Sequence, residues 1–294
     1  MTQEPRRAAG VAATEQAWNA RQLRALQRPA WRLWRYRAPA VVLGLSQREL
    51  ARQLHDAPLA VLQRRSGGGA VLVGPWMIGV SVALPAAHRL VRDGPVPAYR
   101  WLGEALARAL SVGGVQCSAV PPGQLRAAAR PAAAEWACFG GLSPWEVVCS
   151  GRKIAGLAQV RTAAVVLLVG GVLLQRPDWE LLCAVLRQPA DEARRLDAAT
   201  CAWQQAAGGA AVDHDALCAR LRAQLRAALV EQPPGAARHP PRGASAASER
   251  PRAALVEQPP GAARHPPRGA SAASERPRAA LVERPSSLRS GPTQ

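Results

Sequence analysis

The last quarter of the chain is a tandem repeat, which limits how much of the sequence can fold. Residues 226–251 recur without change as residues 252–277, and a third copy begins at Arg278. Each copy is rich in Pro, Gly, Ala and Arg and carries almost no large apolar side chains. Such a unit buries too little apolar surface to offset the entropy of ordering its backbone. We therefore predict a loose N-terminus at 1–13, a folded domain at 14–230 that is large enough to be catalytic, and a disordered basic tail at 231–294.

The folded part is long enough for one sizeable hydrophobic core. The whole sequence carries a formal net charge of +18, from 38 Lys and Arg against 20 Asp and Glu. So basic a chain suits nucleic acid, a membrane surface or an acidic protein partner, although an Arg-rich composition without functional meaning accounts for the charge equally well. The 6 cysteines show no C-x-x-C spacing, so we expect no metal site.

The compartment is predicted from what the sequence lacks. Residues 1–10 are polar and Arg-rich with no apolar run behind them, unlike a signal peptide. The longest apolar run, residues 163–174, is too short to cross a bilayer. We expect a monomeric cytoplasmic protein with reduced thiols and no membrane partner.

Local patterns predict alternating helices and strands. Thr14 is positioned to cap a first helix. The Ser150-Gly151 pair predicts a tight turn that places Lys153 at the start of a second hairpin arm. We predict a strand over residues 164–174 that Gly170 and Gly171 interrupt.

Lys153 is the only lysine in the chain, although the sequence contains 38 Lys and Arg residues. An ammonium is a compact charge on a flexible stem, and a guanidinium does not replace it. It suits a phosphate or a developing oxyanion. Glycines flank this lysine at Gly151 and Gly156, which favours a functional position over a surviving surface residue.

Three consecutive glycines lie between an Arg-rich strand end and an apolar strand, at residues 67–69. Glycine allows a backbone to approach a ligand closely, and successive free N–H groups can bind an anion. Alone, this pattern favours a plain Gly-rich hairpin turn.

Together these two stretches resemble lipoate–protein ligases. Arg-x-Ser-Gly-Gly-Gly-Ala-Val at residues 64–71 is similar to the substrate loop of that family. Gly-Arg-Lys-Ile-x-Gly-x-Ala-Gln-x-Arg at residues 151–161 is similar to its lysine hairpin. The resemblance covers about residues 14–190 and implies an α+β fold: a mixed, largely antiparallel sheet flanked by helices, of the biotin/lipoate ligase type.

The resemblance implies a function and a site. Such a ligase activates lipoate or octanoate with ATP and Mg²⁺ as an acyl-adenylate. It then passes the acyl group to a lysine of a carrier, such as the lipoyl domain of a 2-oxoacid dehydrogenase E2 or the glycine cleavage H protein. Lys153 would hold the phosphate and carbonyl oxygens of the adenylate. The implied substrate-binding residues are Arg64, Ser66, Gly67, Gly68, Gly69, Ala70, Gly151, Arg152, Gly156 and Ala158.

Cys138 opens an alternative. Cysteine-dependent octanoyltransferases of the same superfamily carry Ala-Cys-Phe, then a Pro/Ser-Trp stretch, then Gly-Arg-Lys, and residues 137–139, 143–145 and 151–153 resemble that layout. These enzymes need no ATP, because a thiolate takes the acyl group from acyl carrier protein as a thioester. A nearby ammonium would activate that thiol. The other interpretation of Cys138 is a small buried hydrophobe.

A third possibility is a non-catalytic relative that binds an acidic carrier or nucleic acid. The His-Asp and Gly-Asn pairs expected after the ligase loop are replaced by residues 73–74 and 76–77. Their absence favours this third class, whereas the retained Lys153 opposes it. Ligase chemistry is the leading sequence-based hypothesis.

Deletion of residues 232–294 is predicted to leave the melting temperature and acyl transfer unchanged, because the repeats have no core to contribute. Differential scanning calorimetry of the full and truncated chains tests this. A clear fall in melting temperature on truncation would show that the tail packs on the domain.

Overall fold

The computed structural model describes residues 10–54, 56–125 and 134–230. Within them the helices are α1 Gly10–Ala25, α2 Arg48–Gln53, α3 Pro95–Leu110, α4 Trp179–Val185, α5 Ala190–Ala199, α6 Trp203–Ala206 and α7 His214–Val230. The strands are β1 Ala30–Arg35, β2 Ala40–Leu43, β3 Ala60–Gln63, β4 Val71–Val73, β5 Met77–Pro85, β6 Cys117–Ala119, β7 Val147–Cys149, β8 Arg152–Arg161 and β9 Val165–Leu173. Short 3₁₀ turns lie at Leu45–Gln47 and Pro122–Gln124.

Six strands form one antiparallel sheet in the order β1-β5-β9-β8-β7-β6. One face packs against α3 and α7 around a core of Val, Leu and Ile side chains. The other face lies under α1, whose side chains Trp18 and Leu23 pack against the cluster of Ala83, Val165 and Leu167. A largely antiparallel sheet flanked by helices confirms the predicted α+β class. The predicted break at Gly170 and Gly171 is wrong, because β9 pairs with both neighbours straight through them.

The remaining three strands form a small mixed sheet in the order β3-β2-β4. The central strand β2 is parallel to β3 and antiparallel to β4. Residues 64–70 therefore connect the two outer strands across β2. This arrangement overturns the hairpin interpretation of the three glycines, since β3 and β4 are not paired with each other.

The first helix starts earlier than the sequence indicated. It begins at Gly10, and the Thr14 hydroxyl donates a hydrogen bond to the Gly10 carbonyl from inside the helix. Residues 10–13 are thus helical, which corrects both the Thr14 cap and the loose segment predicted up to residue 13. Burial of Ala12, Glu15 and Asn19 on one helical stripe explains the extension.

The domain continues past the stretch that resembles ligases. α5 and α6 follow α4, and α7 then packs along α3 up to Val230. The first five residues of the first repeat copy, 226–230, belong to α7, where Leu225 and Ala228 are buried. The predicted tail at 231–294 lies outside the described residues and stays a prediction.

Candidate functional site

The hairpin between β7 and β8 sets the position of Lys153. Ser150 and Gly151 both have positive φ, 50° and 71°, as a two-residue turn of this handedness requires. Arg152 is the first residue of β8, and Lys153 pairs with Val148 across the hairpin. The predicted tight turn is confirmed.

The Lys153 ammonium is buried, with 4% of its side chain exposed. It forms a 2.7 Å ion pair with the Glu146 carboxylate. It also donates to the carbonyl oxygens of Cys138 at 2.7 Å and Gly141 at 2.9 Å. The Phe139 ring lies 5.4 Å from the nitrogen. One cation thus holds the chain around Cys138 in place.

Glu146 is the functional-site residue that sequence reasoning missed. Its side chain is 3% exposed, and one carboxylate oxygen accepts the Ser143 amide at 2.7 Å. The other oxygen accepts the Leu157 amide of β8 at 3.0 Å. The only available signal was an acidic residue directly before the apolar run of residues 147–149.

The backbone before Glu146 explains why its side chain turns inward. Trp145 has φ of 66°, in the left-handed region that non-glycine residues rarely adopt. Its carbonyl oxygen lies against α3 where Gly103 has no Cβ, and a Cβ there would collide with that oxygen. The main chain at Trp145 thus faces α3. The last residue pair between β7 and β8 is Val147 with Ala155. Just beyond it, the Glu146 carboxylate accepts the hydrogen bond of the Leu157 backbone N–H.

Arg64 organises the glycine loop from inside. This residue is 7% exposed, and its guanidinium donates to the carbonyls of Val42, Gly67 and Gly69 at 2.7–3.1 Å. Loop carbonyls thus occupy the guanidinium, and the predicted role of Arg64 in substrate binding stays a prediction. Gly67 and Gly68 are exposed at the turn of the loop.

The two sequence motifs meet at Ala70 and Cys138. The Cys138 amide donates to the Ala70 carbonyl at 2.8 Å, and residues 70 and 137 form an isolated parallel bridge. On the far side, Lys153 holds the Cys138 carbonyl. The predicted meeting of the glycine loop with the lysine hairpin thus occurs, with Cys138 between them.

A cavity of about 160 Å³ opens beside this junction. Five predicted residues line it: Arg64, Ser66, Cys138, Gly156 and Ala158. The Ser66 hydroxyl is buried and has no hydrogen-bond partner among the described residues. Most of the remaining wall is apolar, including Val71, Val73, Met77, Phe139, Leu167 and Val169. An apolar cavity bordered by Cys138 and Ser66 suits an acyl chain with a reactive carbonyl.

Glycines on three adjacent strands make room along the sheet face under α1. Gly79 on β5 pairs with Gly171 on β9, which pairs with Gly156 on β8. A Cβ on Gly156 would lie 3.2 Å from Cε of Lys153, and one on Gly79 would collide with the Tyr36 hydroxyl. Two strand spacings separate these ends, roughly 10 Å. The stripe therefore joins the Lys153 region to Tyr36 across the sheet.

A buried polar cluster lies at the Tyr36 end of the cavity. The Tyr36 hydroxyl donates to Glu15 at 2.6 Å, and Ser81, which accepts the Trp34 indole N–H, contacts the other Glu15 oxygen at 3.5 Å. Asn19 Oδ1 is buried without a partner among the described residues. Burial raises the pKa of Glu15 from 4.5 to about 7, against the opposing effect of the Tyr36 hydrogen bond. Sequence reasoning missed this cluster, although Asn19 is the only asparagine in the chain.

Two predicted binding residues lie in the turn. Gly151 supplies the positive φ of the hairpin. Arg152 points its guanidinium at the Cys201 sulfur, 3.7 Å away, because alternate residues of a strand face opposite sides. Neither residue lines the cavity, and their predicted role in substrate binding stays a prediction. Across the described ranges, no group of three or more His, Cys, Asp or Glu side chains could hold a metal ion, and no helix is long and apolar enough to cross a membrane.

The family model of the lipoyl protein ligase A/B catalytic domain matches residues 9–219, well over half of the sequence. The chain belongs to this family. Octanoyltransferase LipM of Kyrpidia tusciae is 33% identical over 172 residues, covering 56% of this chain and 61% of the relative. The LipM of Moorella thermoacetica is 31% identical over 172 residues, covering 57% and 61%. The family member described here thus spans about three fifths of the length of these curated relatives.

Solved structures of lipoate ligases share the fold. Protein Ta0514 of T. acidophilum, solved with bound lipoic acid, gives a TM-score of 0.55 at 17% identity, covering 74% of this chain and 80% of that chain. Lipoate-protein ligase A bound with ATP gives 0.53 at 19% identity, covering 75% and 81%. A bipartite ligase, solved in a study of that enzyme and its E2 lipoyl domain from Thermoplasma acidophilum, gives 0.51 at 18% identity, covering 78% and 82%.

The buried carboxyl of Glu15 predicts a pH-dependent stability. Because its pKa is raised in the folded state, the folded protein holds this proton more tightly, and ionisation above about pH 7 costs stability. A shift of this size corresponds to about 3 kcal/mol, lost as pH rises from about 4.5 through 7. Glu15→Gln should remove this loss. Urea unfolding at pH 5 and pH 8 measures it.

The control is Glu104→Gln, a glutamate on the outer side of α3 paired with Arg100. It should keep the pH dependence of the wild type. An identical fall in unfolding free energy from pH 5 to pH 8 in wild type and Glu15→Gln would contradict the assignment.

Proposed function

We propose that this protein attaches octanoyl or lipoyl groups to a carrier lysine by thioester exchange through Cys138, without ATP. The observation that carries the proposal is the position of Cys138 on the wall of an apolar cavity, with its backbone clamped by Lys153 and Ala70. The likeness to octanoyltransferase relatives supports the same reaction.

The first step is transfer of the acyl group from a carrier thioester to the enzyme. The Cys138 thiolate attacks the thioester carbonyl, the carbon–sulfur bond to the carrier breaks, and the carrier leaves as a thiol after taking up a proton. The acyl chain occupies the cavity over the glycine stripe. The unpartnered Ser66 hydroxyl is available to donate a hydrogen bond to the acyl oxygen.

The second step passes the acyl group to the lysine of a lipoyl carrier domain. The neutral ε-amine attacks the enzyme thioester, an amide bond forms, and the Cys138 sulfur leaves and regains a proton. A lipoyl domain of a 2-oxoacid dehydrogenase E2 or a glycine cleavage H protein would be the acceptor, and acyl carrier protein the donor. In both steps Lys153 holds the Cys138 backbone in place through its carbonyl.

Ligase chemistry through an acyl-adenylate is the second candidate. The observation that favours it is Arg65, which borders the cavity and is exposed where a phosphate could meet it. The Arg64 guanidinium and the Lys153 ammonium fit an adenylate poorly. Three carbonyls occupy the Arg64 guanidinium, and Glu146 neutralises Lys153. We therefore derive no step through ATP or Mg²⁺.

The experiment incubates the protein with octanoyl-carrier protein and weighs it by mass spectrometry. The wild type should gain the mass of one octanoyl group, which hydroxylamine removes because the adduct is a thioester. Cys138→Ser should form no such adduct and should not octanoylate an apo lipoyl domain. Cys117→Ser is the matched control, because Cys117 is also half-buried but lies away from the cavity in β6.

Each other outcome identifies a different function. Transfer from lipoate plus ATP that survives Cys138→Ser would replace the proposal with the ligase reaction. Tight binding of an acidic carrier, with neither a covalent adduct nor an acyl-adenylate formed, would show that the protein is a non-catalytic relative.

A further inference from the structure

The Glu146 carboxylate is the point at which the segment around Cys138 is tied together. Its oxygens accept from the Ser143 amide, the Leu157 amide and the Lys153 ammonium. Lys153 in turn holds the carbonyls of Cys138 and Gly141. A single carboxylate therefore reaches Cys138 through one intervening side chain.

Burial makes this carboxylate decisive for the charge of Lys153. The Lys153 and Glu146 side chains are 4% and 3% exposed, so water contributes little to solvating either charge. A buried ammonium that loses its counter-charge is strongly disfavoured relative to the neutral amine. Other backbone acceptors of Lys153 are neutral carbonyls, which offset only part of that cost.

The other titratable groups near the pair do not replace Glu146. The Cys138 thiol lies on the same segment, and the Tyr99 phenol approaches from α3. Burial raises the pKa of Tyr99, and Glu146 and Cys138 push it in the same direction, so this phenol is neutral at physiological pH. Tyr99 therefore supplies no second anion to balance the ammonium at neutral pH.

We propose that Glu146 is a positioning residue for acyl transfer. It keeps Lys153 charged and clamped to the Cys138 and Gly141 carbonyls, so that the thiol is presented at the cavity wall. This inference rests on the thioester reaction proposed above. The left-handed backbone of Trp145 and the close approach of its carbonyl to Gly103 are the structural features that turn the carboxylate inward.

The chain offers an unusually direct test, because Lys153 is its only lysine. Protein labelled with lysine carrying ¹³C at Cε gives one lysine side-chain NMR signal, which needs no assignment and reports whether the amine is protonated. In the wild type this signal should keep the ammonium position from pH 6 to pH 9. In Glu146→Gln it should move toward the free-amine position as pH rises across that range.

Octanoyl transfer provides the second readout. At pH 8 the transfer rate of Glu146→Gln should be about tenfold or more below that of the wild type, because Lys153 no longer holds the Cys138 carbonyl. Relative to the wild type, the rate should recover partly toward pH 6. Glu146→Asp keeps the charge and should hold the ammonium signal while transfer is reduced, because its shorter side chain reaches fewer partners. If Glu146→Gln does not fold, the Asp variant carries the test. Loss of the ammonium signal in Glu146→Asp would overturn the proposal. Transfer at the wild-type rate by a Glu146→Asp protein in which Lys153 no longer holds the Cys138 and Gly141 carbonyls would overturn it too.

The matched control is Glu192→Gln. Glu192 is also buried, at 9% exposure, but pairs with the Trp136 indole and with Arg195. Its replacement should leave the Lys153 signal at the wild-type position at every pH. A Glu146→Gln signal that behaves like the wild type, or a transfer loss that is equal at pH 6 and pH 8, would overturn the inference. Failure of the wild type to form any thioester would instead overturn the proposed function and leave the NMR result standing.

Discussion

The buried ion pair between Lys153 and Glu146 is the interaction on which the site depends. Two side chains that are almost fully removed from water form this ion pair and are hydrogen-bonded to the surrounding backbone. Their hydrogen bonds end on the backbone at Cys138, Gly141, Ser143 and Leu157. The pair therefore converts an irregular connection into a fixed platform for one thiol.

The surrounding fold provides this pair with space and acceptors. Gly103 lets the Trp145 carbonyl rest on α3, which turns Glu146 inward, and the glycine stripe leaves an open channel over the sheet beside Lys153. Arg64 performs a parallel task in the glycine loop, where it gathers three carbonyls. Arg64 and Lys153 thus both organise backbone, and the cavity is left largely apolar with Cys138 on its wall.

Local chemistry made part of this arrangement predictable. The Ser150-Gly151 turn, the position of Lys153 and the proximity of Cys138 follow from short-range pattern and from two motifs in the right order. Glu146, Glu15 and Asn19 were not predictable, because their roles depend on contacts between segments distant in sequence. The glycines at 170–171 were misread as a break for the same reason: only the pairing of Gly171 with Gly79 and Gly156 shows that it forms part of the cavity floor. The path of residues 64–70 across β2 is likewise a property of the sheet order.

A double-mutant cycle on the ion pair tests this account most directly. Unfolding free energies would be measured by urea denaturation for Lys153→Met, Glu146→Gln and the double variant. Each single change leaves a buried group without its partner and should cost about 3–5 kcal/mol. The double variant should cost less than the sum of the two by about 2 kcal/mol or more. Additive costs, agreeing within about 0.5 kcal/mol, would contradict the claim that this pair holds the site together.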